Sequence, residues 1–251
     1  MRKLLACTAL LAVTLPAALP AHAQQEPKPE VFAKFGQWAN SKMTGKPQTK
    51  SMAVRSLRAS GDTTGGAFIA RSMSDAPVGN KESLLVTSDK PTTVITLEEG
   101  SPDYQGAHIA IVGADPEGNI TDVRSAKSGF RTGERFKVRA VSTFGGHLVI
   151  ENINAKGERR QIYPPEGTSV VVIQPGEDTL VPLGPQQFFE FAKTTGEEQL
   201  VISLRDPRAI GDAASRQKVF RKDEELGTHF IQEVAKGEFP VISEAIKLEH
   251  Q

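Results

Sequence analysis

The chain has almost no cysteine, with only Cys7 among its 251 residues. We expect Cys7 to lie in a signal peptide that is removed, so the mature chain would form no disulfide and offer no thiol chemistry. An excess of charge of one sign is also absent, because 30 basic residues balance 30 acidic residues. Without a basic excess, nucleic acid is not an expected partner.

Long apolar runs are confined to the N-terminus. Two basic residues and an apolar run over residues 4–19 lead to Ala21-His22-Ala23, the small-x-small pattern that signal peptidase cleaves. We predict a signal peptide over residues 1–23 and a mature chain that begins at Gln24. The alternative is a membrane anchor, for which the run is short and interrupted by prolines. No later stretch has spanning length, so we expect a periplasmic or secreted protein without a transmembrane anchor after cleavage.

The sequence contains no motif that is typical of a catalytic or metal-binding site. It contains no H-E-x-x-H, G-x-S-x-G or Walker A pattern, and its histidines after residue 23 belong to no closely spaced His/Cys/Asp cluster. We therefore predict no catalytic, cofactor-binding or metal-binding residue, and we interpret these histidines as structural or surface residues. A Ser/His/Asp arrangement assembled from distant positions stays open. The histidines concerned are His108, His147, His229 and His250.

Two acidic patterns are interpreted as turns. Asp115, Glu117 and Asn119 alternate as in a calcium loop, but the glycine precedes the third ligand instead of following it. The paired glutamates at 98–99 and 197–198 flank glycine turns, and neighbours on a strand point to opposite faces. We interpret both glutamate pairs as solvated turn edges.

Short β-branched segments separated by Gly and Pro turns dominate the centre of the chain. The segments recur at short spacing, and Asn154-Ala155-Lys156-Gly157 predicts a hairpin loop. This spacing is typical of an antiparallel β-sandwich or barrel-like domain. The predicted fold is mainly β, with an N-terminal helix and C-terminal helical segments. The predicted divisions are residues 24–80 (helix plus flexible Gly/Ser-rich segment), 81–205 (β domain) and 206–251 (helical tail).

The predicted N-terminal helix carries one apolar face. Val31, Phe32, Phe35 and Trp38 recur close to helical spacing. This face either packs on the β domain or docks on a partner.

A group of basic residues, here called the basic stripe, lies around a predicted strand. Arg135, Lys137 and Arg139 alternate with apolar residues, so they share one strand face. If neighbouring strands join them, the sheet presents a basic patch for anionic glycan, lipopolysaccharide phosphate or an acidic protein. The alternative is a polar outer face that discourages aggregation. The complete stripe is Arg131, Arg135, Lys137, Arg139, Arg159 and Arg160.

Residues 129–204 carry a family resemblance. Phe130-Arg131-Thr132-Gly133-Glu134 is followed by G-H-L-V-I-E-N-I at 146–153 and by Ile162-Tyr163-Pro164. These motifs resemble the bacterial family called domain of unknown function 4384, whose members read F-x-x-G-[DE], G-x-[LIV]-x-[LIV]-x-N and [LIV]-[YF]-P. The resemblance implies an accessory β domain with no assigned catalytic residues.

These observations together favour an exported, non-enzymatic accessory or protein-interaction module of the cell envelope, which needs no cofactor. Its expected partner is an envelope protein or an anionic envelope component. The alternatives are a periplasmic hydrolase with dispersed catalytic residues and a carrier of a small apolar ligand inside a barrel.

Overall fold

The structure is a computed structural model that describes residues 28–43, 90–99, 101–168, 170–184, 186–192, 195–209 and 218–251. The predicted signal peptide lies outside the described residues, and so does the predicted flexible segment from residue 44 to residue 80. In chain order the elements are α1 (Pro29–Lys42), β1 (Asp103–Ala114), β2 (Ile120–Arg124), β3 (Arg135–Ser142), β4 (Gly146–Ile153), β5 (Arg159–Tyr163), β6 (Val171–Ile173), β7 (Thr179–Val181), β8 (Phe189–Glu190), β9 (Gly196–Arg205), β10 (Val219–Glu224), β11 (Gly227–Val234) and β12 (Val241–His250).

The strands form two antiparallel sheets. Within the described residues, the first sheet has the order β10-β11-β1-β3-β7, with β2 beside β1 and β8 beside β3. The second sheet has the order β12-β9-β4-β5, with β6 beside β4. The prediction of a mainly β, antiparallel fold is therefore confirmed, and over the described ranges the sheets do not close into a barrel.

The two sheets face each other across one apolar core. Phe136 and Val138 of β3 belong to the same buried cluster as Ile202 and Leu204 of β9. Side chains two residues apart on a strand lie on the same face, so each sheet contributes alternate residues to this core.

The loop between β4 and β5 is the predicted hairpin loop. The backbone N–H of Gly157 donates to the carbonyl of Asn154 at 2.8 Å, and Gly157 has φ +81°. The Asn154 side-chain oxygen accepts from the N–H groups of Lys156 and Glu158, each at 3.0 Å. The hairpin prediction is confirmed, and the positive φ explains why glycine ends this loop.

The predicted helical tail is wrong over residues 219–250, which form β10, β11 and β12. Ile242 and Ile246 are four residues apart, a spacing that places side chains on one face in a helix and in a strand alike. Phe230 and Ile231 are consecutive and both buried, because β11 is covered by the core on one face and by α1 on the other. The alternation that identifies a strand is therefore hidden in β11.

Helix α1 packs on the outer face of the first sheet, as one of the two interpretations predicted. Val31, Phe35 and Ala39 are fully buried in a second apolar cluster that includes Ile231 of β11. Gly106 of β1 permits this close approach, since a Cβ there would lie 3.0 Å from Cε2 of Phe35.

Candidate functional site

Two histidines from distant parts of the sequence meet under α1. His108 of β1 and His229 of β11 are directly opposite each other in the strand register. Their ring centroids are 4.9 Å apart, with an angle of 64° between the ring planes. Their neighbours Ile109 and Phe230 point into the core between the sheets, so both imidazoles lie on the outer face of the first sheet.

The histidine pair is buried, and three of its four ring nitrogens have no hydrogen-bond partner among the described residues. His108 is 3% exposed and His229 is 4% exposed. Both ring nitrogens of His108 and Nδ1 of His229 have no hydrogen-bond partner among the described residues. A buried polar atom without a partner costs about 1–3 kcal/mol. The fold therefore retains an arrangement that is unfavourable in the unliganded chain.

Burial also determines the charge of the two imidazoles. The pKa of His108 is lowered to about 3, mainly by burial and with smaller contributions from the nearby His229 and Arg139. The pKa of His229 is lowered as well, mainly by burial. Both rings are neutral near pH 7, so each carries one nitrogen with a free lone pair.

A cleft of about 570 Å³ lies between α1 and the first sheet, and both histidines line it. Gly36 forms part of its helix side, where a Cβ would lie 3.0 Å from Cε1 of His229. The ring of Phe35 also meets His229 edge to face, with centroids 5.2 Å apart. Leu226, in the turn between β10 and β11, borders the cleft and is 56% exposed. The cleft therefore has a mixed apolar and polar lining, with two imidazoles at its base.

Three of the charged side chains that line the cleft, Arg139, Lys222 and Glu224, are paired. Nε and Nη2 of Arg139 donate to the two carboxylate oxygens of Asp178 at 2.8 and 2.5 Å, and Nη2 also donates to the carbonyl of Met43 at 2.7 Å. Lys222 Nζ lies 2.7 Å from Glu224 Oε1. Among the residues that line the cleft, His108 and His229 carry the fully buried side-chain nitrogens without a hydrogen-bond partner in the described structure.

The basic stripe is divided between the two sheets. Arg135, Lys137 and Arg139 share the outer face of β3, while Arg159 and Arg160 are exposed on β5 of the second sheet. The structure therefore does not join these two groups into one sheet face. Arg131 is exposed in the loop that precedes β3.

The stripe residues on β3 have partners. Arg135 Nε donates to Glu190 Oε2 at 3.1 Å. Lys137 is only 1% exposed, and its Nζ donates to the carbonyl of Gly184 at 3.1 Å. Burial lowers the pKa of Lys137. Recognition of an anionic partner by the stripe stays a prediction.

A second polar group lies at one end of the core, and the sequence interpretation missed it. Glu198 was interpreted as a solvated turn edge and His250 as a structural or surface histidine, but both side chains are fully buried. The interpretation of Glu198 is wrong because β9 begins at Gly196, which places Glu198 on the same inward face as Leu200 and Ile202. The spacing of Glu198, Leu200 and Ile202, each two residues apart, is the feature of the sequence that could have predicted a buried Glu198.

The buried group forms a hydrogen-bonded series. Thr132 Oγ1 lies 3.0 Å from His250 Nε2, and His250 Nδ1 lies 3.1 Å from Glu198 Oε1. Asn152 Nδ2 donates to Glu198 Oε2 at 3.0 Å. Burial raises the pKa of Glu198, although hydrogen bonds from Asn152 and His250 oppose the rise. Each buried member of the series is satisfied by the next, in contrast to the histidine pair in the cleft.

No protein-family model, curated protein or solved structure matches the chain. Over the described ranges, no helix combines the length and apolar character needed to cross a membrane.

Proposed function

We propose that the chain is an exported, non-enzymatic accessory module of the bacterial cell envelope, and that it binds its ligand or partner in the cleft between α1 and the first sheet. The observation that carries this proposal is the buried pair His108 and His229 at the base of a cleft, where three of the four ring nitrogens lack a partner among the described residues. Buried polar groups in folded proteins are nearly always hydrogen-bonded. A ligand that supplies the missing contacts accounts for both the cleft and the open nitrogens.

The packing between the sheets favours this cleft over an interior ligand site. Phe130 stacks on Phe191 with ring centroids 4.8 Å apart, and Phe136 lies 5.3 Å from Phe189. These rings occupy the space that a carrier of a small apolar ligand would need to leave open. The signal-peptide pattern over residues 1–23 supports export to the periplasm or secretion.

The test uses the mature chain from Gln24 and a panel of soluble peptidoglycan fragments, lipopolysaccharide fragments and divalent metal ions. Trp38, the only tryptophan in the chain, packs beside Phe35 on α1 with ring centroids 5.5 Å apart. Its fluorescence therefore reports on the helix that covers the cleft, and Tm reports on binding to the folded state.

The matched variants are Gly36→Val, which places two methyl groups against His229, and Glu30→Val, which adds the same side chain at an exposed position of α1. We expect at least one panel member to raise Tm and shift Trp38 emission in the wild type and in Glu30→Val, but not in Gly36→Val. A ligand whose effect survives Gly36→Val, or a panel without effect on the wild type, would contradict binding in the cleft.

A hydrolase is the second candidate function, favoured by the series Thr132, His250 and Glu198. A hydroxyl, an imidazole and a carboxylate in hydrogen-bond contact are the groups of a nucleophile, a base and the residue that orients the base. Thr132 is an exposed residue, unlike the buried His250 and Glu198. Hydrolysis of p-nitrophenyl esters that is lost in Thr132→Val at unchanged Tm would support this function. Equal rates for the wild type, Thr132→Val and buffer would assign the series to stability.

A further inference from the structure

We infer that His108 and His229 bind a divalent transition-metal ion, such as Zn²⁺ or Cu²⁺, in the cleft under α1. This inference rests on the proposed function of the cleft as a binding site, and it names the chemistry of the ligand. The two side chains come from positions directly opposite each other on neighbouring antiparallel strands, so the sheet fixes their separation.

The spacing of the rings suits one shared ion. With metal–nitrogen bonds of about 2.0–2.1 Å and a near-tetrahedral angle, the centroids of two imidazoles on one ion lie roughly 5 Å apart. The observed separation is 4.9 Å, before any ion is bound. The separation of the two rings is therefore compatible with one ion bound between them.

The donor atoms select the class of ion. Imidazole nitrogen binds zinc, copper and nickel, whereas magnesium and calcium prefer oxygen ligands. Three ring nitrogens of the pair lack any partner among the described residues, so coordination would break no hydrogen bond there.

The site would remain open on the cleft side. No group of three or more His, Cys, Asp or Glu in the described part of the chain is placed to hold a metal. Two protein ligands leave the other coordination positions to water or to a donor from a bound partner, as in metal sites that keep an exchangeable position. Glu224 borders the cleft near His229, where it is paired with Lys222, and Arg139 borders the cleft near His108.

The test titrates the mature chain with ZnCl₂, CuCl₂ and MgCl₂ separately, using calorimetry and ¹⁵N NMR of the histidine side chains. We expect one equivalent of Zn²⁺ to bind and to shift the ring signals of His108 and His229, while those of His147 and His250 stay in place. Cu²⁺ should bind more tightly than Zn²⁺, and Mg²⁺ should give no heat.

Variants then assign the ligands. His229→Gln and His108→Gln should each weaken Zn²⁺ binding at least tenfold, and His147→Gln on the second sheet should leave it unchanged. The NMR measurement on the wild type keeps the test decisive if His108→Gln fails to fold. Absence of Zn²⁺ and Cu²⁺ binding, or ring shifts at His147 or His250 instead, would overturn the inference. A panel ligand that remains sensitive to Gly36→Val in that case would leave the proposed function standing without the metal.

Discussion

Asp178 accepts two hydrogen bonds from Arg139, at 2.8 Å from Nε and 2.5 Å from Nη2. Arg139 is on β3, and its Nη2 also donates to the carbonyl of Met43, directly after the end of α1. This one guanidinium therefore connects the first sheet, the segment before β7 and the C-terminal end of the helix that covers the cleft. Its role in the described structure is to hold α1 in place.

We predict that Arg139→Gln lowers the free energy of unfolding by about 2–4 kcal/mol, because Asp178 would keep a largely buried carboxylate without its cation. Asp178 is 6% exposed and Arg139 is 14% exposed at the side chain, so solvent screens the pair little. Urea denaturation measures the loss. Arg160→Gln, an exposed residue of the same basic stripe, is the control and should change stability by less than about 0.5 kcal/mol. Similar losses for the two variants would contradict this role of Arg139.

The second prediction concerns Glu198 and its hydrogen bonds to Asn152 and His250. Glu198→Gln can still accept from Asn152 and donate to His250, so it should preserve the fold. Glu198→Leu leaves both partners buried and unpaired, which should cost about 2 kcal/mol or more. Thermal and urea denaturation compare the two variants. Equal stability of the Leu and Gln variants would show that the polar series contributes nothing.

The pH dependence of stability gives a third prediction at the same residue. Burial raises the pKa of Glu198 above its ordinary value of 4.5, so the folded chain keeps this proton at pH values where the unfolded chain has released it. The corresponding stability is complete below pH 4.5 and is lost as the pH rises through the folded-state pKa. We therefore expect the free energy of unfolding of the wild type, relative to Glu198→Gln, to fall as the pH rises above 4.5. A relative rise with pH would mean that Glu198 is ionised against His250 in the folded state.

The hairpin between β4 and β5 supplies the fourth prediction. Gly157 has φ +81°, and a Cβ built there meets nothing within 4 Å, so a substitution acts through backbone strain alone. Gly157→Val should lower the free energy of unfolding by roughly 1 kcal/mol or more. Gly157→Asn should cost less, because asparagine tolerates positive φ better than a β-branched residue. An unchanged denaturation midpoint for the valine variant would contradict the loop geometry.

The sequence predicted those features that depend on local periodicity. Phe136 and Val138 alternate with charged residues, and β3 indeed buries the apolar set while its charged residues lie on the other face. The apolar face of α1 and the loop at Gly157 were likewise predicted from residues close together in the sequence. Each of these patterns lies within one helix, strand or loop, so it can be recognised without knowing the tertiary structure.

The candidate site could not be predicted in this way, because its parts are brought together only by strand pairing. His108 and His229 are separated by most of the β domain. Neither segment alone indicates that β11 pairs with β1, or in which register. The same limit applies to His250, whose partner Glu198 lies on a neighbouring strand of the second sheet. The charged residues of β3 also share a face as predicted, but Arg139 contacts Met43 at the C-terminal end of α1 and Lys137 contacts the carbonyl of Gly184.

Processing of the N-terminus can be tested separately from the fold. We predict that chain purified from the cell envelope begins at Gln24, and intact-mass measurement decides this directly. A species that retains Met1, or one acylated at Cys7, would contradict export through signal-peptide cleavage.

The most direct test of the metal site inferred in the cleft is anomalous diffraction from crystals of the mature chain grown with one equivalent of zinc. The account predicts one anomalous peak under α1, within about 2.0–2.1 Å of a ring nitrogen of His108 and of His229. A cleft without a peak, or zinc bound only at His147 or His250, would contradict it.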